Sequence, residues 1–169
     1  LEDLSLNGNT SIRNFEVVGL KLGHVDSHLL GQKMKFYTFD NLTVRTNRSV
    51  SKGWMKLSAS EQINIAAKLQ IQDGYIEDYS SIFFEIPGST AKIDAQIDVG
   101  GSLTDMQLRL VGNMKELNFF GESFDDGGID LRFDRDLVTV KQFQASRQEG
   151  GFLSIRGSYP LSKEPNFEI

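Results

Sequence analysis

The stretch "QINIAAKLQIQ", Gln62–Gln72, alternates apolar and polar side chains along its length. Successive side chains of a β-strand point to opposite faces, so this alternation predicts a strand with one apolar and one solvated face. Most of the even positions are polar. The odd positions are all apolar: Ile63, Ile65, Ala67, Leu69 and Ile71.

The same alternation recurs downstream of this stretch. Further alternating stretches cover, in chain order, residues 92–99, 106–110, 129–134, 138–145 and 153–157. The stretch that begins at Val138 slips by one residue at Lys141–Gln142, which predicts a β-bulge. No helical pattern of adequate length separates these stretches, so the sequence excludes parallel βαβ units and predicts an antiparallel sheet.

Turn and helix signals complete the predicted fold. Glycine-rich turns are predicted at "VGGS", Val99–Ser102, and at "DDGG", Asp125–Gly128. One short helix is predicted at "IEDYSSIFFEI", Ile76–Ile86, and Pro87 ends it. The predicted fold class is therefore all-β, with a curled antiparallel sheet and at most one short helix.

Two glycine-led phrases resemble each other. "KGWMKLSAS", Lys52–Ser60, aligns with "GGFLSIRGS", Gly150–Ser158, and glycine would let each strand bend as the sheet curls. The whole chain, residues 1–169, is predicted to be a single segment of a longer chain. The two phrases leave open a division of it into two imperfect repeats, about 1–72 and 73–169.

Composition and charge exclude several classes of function. The 18 Lys and Arg residues form no cluster and the formal net charge is −5, so no nucleic-acid partner is predicted. Cysteine is absent, which excludes a thiolate metal site and a Cys nucleophile. The only histidines, His24 and His28, lie in a strand pattern and predict no metal pair. The sequence therefore predicts a protein that is not an enzyme, with no catalytic residue, metal or cofactor.

The candidate site is the long apolar face itself. In a closed sandwich these residues would fill a core, whereas in a sheet that stays open along one side they would line a groove fit for acyl chains. Alternation does not decide between the two. The candidate lining residues are Ile63, Ile65, Leu69, Ile93, Ile97, Leu108, Leu110, Ile129, Leu131, Phe133, Val138, Val140, Leu153 and Ile155.

The second half of the chain resembles a known family. "GSLTDMQLRLVGNMKELNFFG", Gly101–Gly121, and the phrase from "GGIDLRF" at Gly127 to Ile169 are similar to sequences of TamB and its AsmA-like relatives. The shared features are a Gly-Ser-Leu turn, a strand ending in "VTVKQF", a Gly-Gly pair and a Pro-containing exit. The resemblance covers residues 62–169 well and the first sixty residues loosely.

This resemblance implies a fold and a location. It implies a β-taco with an open hydrophobic groove, as an internal segment of a chain anchored in the inner membrane of a diderm bacterium. Such a chain crosses the periplasm and acts with an Omp85-class outer-membrane barrel. The implied function is phospholipid transport between the membranes, outer-membrane protein assembly, or both. The implied partners are phospholipid acyl chains or unfolded outer-membrane protein strands, which could pair with an exposed sheet edge.

A β-sandwich carbohydrate-binding or adhesion module is the alternative from another class. It would use Trp54 and Tyr75 as a sugar-binding face. A purely structural domain of a surface protein is a third interpretation.

Overall fold

The computed structural model describes residues 5–17, 20–33, 35–59, 62–79, 88–134, 137–160 and 166–168. A 3-10 turn, Ile76–Asp78, lies between the fifth and sixth strands. The strands are β1 (Ser5–Val17), β2 (Leu20–Gln32), β3 (Phe36–Arg45), β4 (Val50–Ala59), β5 (Ile63–Tyr75), β6 (Thr90–Ser102), β7 (Asp105–Phe119), β8 (Glu122–Asp134), β9 (Leu137–Ser146), β10 (Phe152–Pro160) and β11 (Asn166–Glu168).

All these strands belong to one 11-stranded sheet whose spatial order follows the chain from β1 to β11. Every pairing between neighbours is antiparallel. β1 and β11 lie at opposite edges and do not pair with each other, so the sheet is not closed into a barrel. Such a meander needs only short hairpin connections.

The sheet curls over its own apolar face. Ile71, Ile93 and Leu110 on that face are each only 2% exposed. Within the described residues, neither a second sheet nor a long helix covers them. Apolar side chains of a single sheet reach such burial only when the sheet folds around them. The predicted fold class, an all-β curled antiparallel sheet with at most one short helix, is confirmed.

β-Bulges bend the strands. The register with a neighbouring strand shifts within β1, β3, β5, β7 and β9, and extra residues in a strand increase its bend and twist. In β9 the extra residue is Lys141, because Asp130 pairs with Gln142 and Leu131 pairs with Val140. The slip predicted at this position is confirmed. In the other four strands the bulge contains a residue with positive φ: Asn14, Asn41, Asp73 and Glu116.

Glycine permits close approach of neighbouring strands on the inner face. A Cβ atom on Gly112 would lie 2.5 Å from the carbonyl oxygen of Asp94, and a Cβ atom on Gly53 would overlap the carbonyl oxygen of Lys68. Neither glycine is among the positive-φ residues, so the requirement is for space rather than for an unusual backbone conformation. The curvature of the sheet therefore depends on the missing side chain at both positions.

Two predicted turns are wrong. "VGGS" lies within β6 and "DDGG" lies within β8, and the hairpins turn instead at residues 103–104 and 120–121. Phe120 and Gly121 have φ values of 51° and 82°, as a two-residue type I′ hairpin requires. Gly127 lies inside β8, at a point where a Cβ atom would come within 2.7 Å of the carbonyl oxygen of Gln144. Here glycine marks close strand packing rather than a turn.

The structure tests only part of two other sequence predictions, the short helix and the internal repeat. Of the helix predicted at Ile76–Ile86, the structure shows the 3-10 turn Ile76–Asp78, and residues 80–87 lie outside the described residues. The two aligned glycines occupy different places, since Gly53 lies inside β4 whereas Gly151 precedes β10 with a φ of 116°. The division of the chain into two repeats stays a prediction.

We expect Gly53→Ala to lower the free energy of unfolding by about 1–3 kcal/mol, because the new methyl group would force β4 away from β5. Gly100→Ala is the matched control, since a Cβ atom there meets no heavy atom within 4 Å. Urea unfolding of both variants measures the difference. Equal stability of the two variants would contradict this explanation of the curvature.

Candidate apolar trough

The concave apolar face of the sheet, here called the trough, contains nearly all of the predicted lining residues. Phe133, Leu153 and Ile155 pack against its core while remaining partly exposed. Ile63, the first residue of β5, shares the strand face of Ile65 but is 45% exposed and lies outside the packed core, so its place in the lining stays a prediction. The buried predicted residues are Ile65, Leu69, Ile93, Ile97, Leu108, Leu110, Ile129, Leu131, Val138 and Val140.

A cavity of ≈ 70 Å³ remains between these side chains, and the atoms exposed in its wall are apolar. It lies along the β1–β7 part of the trough. Four of the predicted residues line it: Ile65, Leu69, Ile97 and Leu108. The other predicted residues fill the trough beyond the cavity, so most of the predicted groove is packed core in this structure.

Sequence reasoning missed the part of the cavity wall that the first strands supply. These residues include Phe15, Val25, Leu42, Val44 and Met55. A signal for some of them is present, because Leu42 and Val44 alternate with polar residues in "NLTVRT". The stretch is short, and the bulge in β3 breaks the alternation just before Leu42, so the period is hard to see over a longer window.

One wall of the cavity comes from outside the strands. Tyr79, directly after the 3-10 turn, lines the cavity and is only 3% exposed. Its hydroxyl oxygen lies 2.7 Å from Oγ of Ser51, which is 0% exposed. Burial raises the pKa of Tyr79 above its usual value. This hydrogen-bonded pair is a polar contact on a mostly apolar face, and each hydroxyl satisfies the other.

The carboxylate of Asp78 fixes the turn that carries Tyr79. Its Oδ2 accepts hydrogen bonds from Thr46 Oγ1 at 2.8 Å, from the backbone N–H of Arg48 at 2.8 Å and from Ser49 Oγ at 2.7 Å. The side chain of Asp78 is only 4% exposed. Burial raises its pKa, but these donors outweigh burial, and the pKa lies below its ordinary value of 3.8.

Further contacts join the same two segments. Ser49 Oγ accepts a hydrogen bond from the backbone N–H of Tyr75 at 2.8 Å. Glu77 accepts from the Arg48 guanidinium at 3.0 Å and from the backbone N–H of Ala91 at 3.3 Å. The guanidinium of Arg48 also lies 4.1 Å above the ring centroid of Tyr75. The β3–β4 turn and the segment after β5 are therefore tied together by side chains.

The convex face of the sheet is polar. Arg109 donates to both carboxylate oxygens of Asp130, at 3.1 and 2.8 Å, and this pairing lowers the pKa of Asp130. Arg132 pairs with Asp134 at 2.7 Å. Charged side chains therefore cover the solvated convex face, whereas apolar side chains lie on the concave face. The overall composition of the chain does not account for this separation of the two faces.

The structure does not bring together the two aromatic residues of the proposed sugar-binding face. Trp54 is 38% exposed on the convex face, with Lys56 Nζ 5.6 Å from its ring centroid. Trp54 pairs with Lys68 of β5, whereas Tyr75 lies at the far end of that strand, beneath Arg48. At about 3.3 Å per residue these two positions are roughly 20 Å apart.

The exposed atoms of the cavity wall are apolar, and they offer no donor or acceptor to a polar ligand. Across the described ranges, no three His, Asp or Glu side chains converge as a metal site would require. No helix in the part of the chain that the structure describes is long and apolar enough to cross a membrane.

No protein-family model matches the chain, and neither a curated protein nor a solved structure gives a match.

We expect Asp78→Asn to lower the free energy of unfolding by about 2 kcal/mol near neutral pH, because hydrogen bonds to a buried charge are lost. The carboxylate has a lowered pKa in the folded state, so its stabilisation is present above its usual value of 3.8 and is lost as pH falls through the folded pKa. The difference between wild type and Asp78→Asn should therefore shrink below about pH 4.

Denaturant unfolding at several pH values measures this effect, with the exposed Asp105→Asn as control. A stability difference that stays constant down to pH values well below the usual pKa of a carboxyl group would contradict the assignment of Asp78.

Proposed function

We propose that this chain is a non-enzymatic segment of a periplasm-spanning bridge of the TamB and AsmA-like kind, and that its trough contacts phospholipid acyl chains. The observation that carries the proposal is a single curled sheet whose concave face is apolar from β2 to β10 and whose convex face is polar. An edge-to-edge meander of this kind can be extended by further strands at either edge without changing its cross-section.

The energetics favour hydrocarbon as the ligand. Burying acyl methylenes contributes about 0.8 kcal/mol each, and the cavity wall offers no exposed polar atom for a polar ligand to bond. A lining of similar apolar side chains holds a chain without fixing its position, because apolar attraction has no direction. These are the properties that transport along a surface needs.

The wider assignments rest on the sequence resemblance. We propose that the parent chain is anchored in the inner membrane of a diderm bacterium, that this segment lies in the periplasm, and that the rest of the chain acts with an Omp85-class barrel. No cofactor is required for such a role.

A second cargo is favoured by one edge of the sheet. β11 pairs only with Arg156–Ser158, so within the described residues the outer edge of Phe152–Ile155 has no strand beside it. Phe152 is 66% exposed at this edge. An unfolded outer-membrane protein strand could pair there by β-augmentation, which would serve outer-membrane protein assembly. A carbohydrate-binding module is less well supported, since Trp54 and Tyr75 lie apart.

We expect phospholipid to co-purify with the wild-type chain from a Gram-negative host and to be absent from Met106→Arg. Met106 lines the cavity and is only partly buried, so an arginine there places a charge in the trough while its end can reach water. Val111→Arg is the matched control, because Val111 lies in the same strand on the convex face and is 38% exposed.

Native mass spectrometry with lipid extraction measures the bound lipid, and circular dichroism checks that both variants fold. If Met106→Arg folds and retains as much lipid as Val111→Arg, the trough is not the lipid site.

A further inference from the structure

The cavity in the trough is smaller than an acyl chain requires. Its ≈ 70 Å³ is less than the roughly 150 Å³ of an engineered apolar cavity that admits benzene. A longer hydrocarbon can therefore enter this part of the trough only if a wall of the cavity moves.

The sheet itself is the least movable wall. Each strand from β2 to β7 is bonded to two neighbours along most of its length, and displacing one would break many backbone hydrogen bonds together. Residues Ile76–Tyr79, here called the cover, are attached in another way. Among the described residues, the backbone–backbone bond of the cover runs from Tyr79 to Ile76, inside the cover itself.

The attachments of the cover are side-chain contacts to one turn and two strands, together with the packing of Ile76 and Tyr79 against the apolar core. Asp78 bonds to Thr46, Arg48 and Ser49 of the β3–β4 turn, and Glu77 bonds to Arg48 and to the backbone N–H of Ala91 in β6. Tyr79 bonds to Ser51 at the start of β4. The cover can leave by breaking these contacts while every ladder of the sheet remains intact.

Ser51 is out of place for an inward position of an apolar face. It lies between Val44 and Ile71 in the register of the sheet, with no exposed surface. A buried hydroxyl stabilises the fold only when it is paired, and its partner here is the hydroxyl of Tyr79. The pair therefore selects one position of the tyrosine ring, over the cavity.

We propose that Tyr79 is the residue that limits how much hydrocarbon the trough accepts, with Ser51 and Asp78 holding the cover closed. In the closed position the ring fills the space that a longer alkyl chain would occupy. When the cover leaves, the tyrosine hydroxyl is solvated and the space that the ring occupied is added to the cavity. The inference rests on the proposed binding of hydrocarbon in the trough.

The test uses a series of straight-chain fatty acids of increasing length, with binding measured by native mass spectrometry and by fluorescence titration. Tyr79→Ala removes the wall, and we expect it to bind the longer members of the series at least tenfold more tightly than wild type. Leu117→Ala is the control, because Leu117 is 2% exposed in the core and does not line the cavity. It should leave the dependence on chain length unchanged.

Ser51→Ala provides a second test if Tyr79→Ala does not fold. It leaves Tyr79 in place and removes only its hydrogen-bond partner, so residues 75–79 should exchange amide hydrogens faster and longer chains should bind more tightly. Unchanged exchange and an unchanged length dependence in folded Ser51→Ala would overturn the role of the cover. If the wild type binds fatty acids and the variants bind them identically, this inference alone fails. If neither the wild type nor any variant binds them, the proposed function fails with it.

Discussion

The rest of the structure depends on one requirement, which is to bury the apolar face of a single sheet without a second layer. A flat sheet would leave that face in water, at a cost of about 25 cal/mol for each Å² of apolar surface. Curling removes the surface from solvent and leaves the polar face outside. Arg109 pairs with Asp130 on the convex face, whereas the next residue, Leu110, is buried on the concave face. Both observations result from this one arrangement.

Curvature in turn explains the irregular features of the chain. Bulges supply the bend within strands, and the bare backbone at Gly53 and Gly112 lets neighbouring strands close up on the inner side. The curled sheet does not enclose the trough alone, since Tyr79, directly after the 3-10 turn, also lines the cavity. The cover is held by polar contacts of Asp78 and by the packing of Ile76 and Tyr79, whereas the sheet is also held by backbone ladders. Because these contacts differ, the cover can open locally without unfolding the sheet.

The period-two alternation predicted the class of fold, the strands after residue 62 and the bulge at Lys141. It did so because a strand in a half-buried sheet must alternate. Alternation could not show how the inner face is covered, since packed core and open groove require the same pattern. It also could not identify Ser51 or Tyr79, because the value of a buried hydroxyl depends on a partner distant in sequence. The glycines of β6 and β8 were assigned to turns because close strand packing and turns both favour glycine.

The most direct test of a single curled sheet uses the natural absence of cysteine. One cysteine would be placed in turn at residues 108, 109, 110 and 111 of β7, and its rate of labelling by a water-soluble thiol reagent measured in the folded protein. The structure predicts slow labelling at Leu108 and Leu110 and fast labelling at Arg109 and Val111. Fast labelling at all four positions would show that the inner face is open to water, and would contradict the enclosed apolar trough on which the account depends.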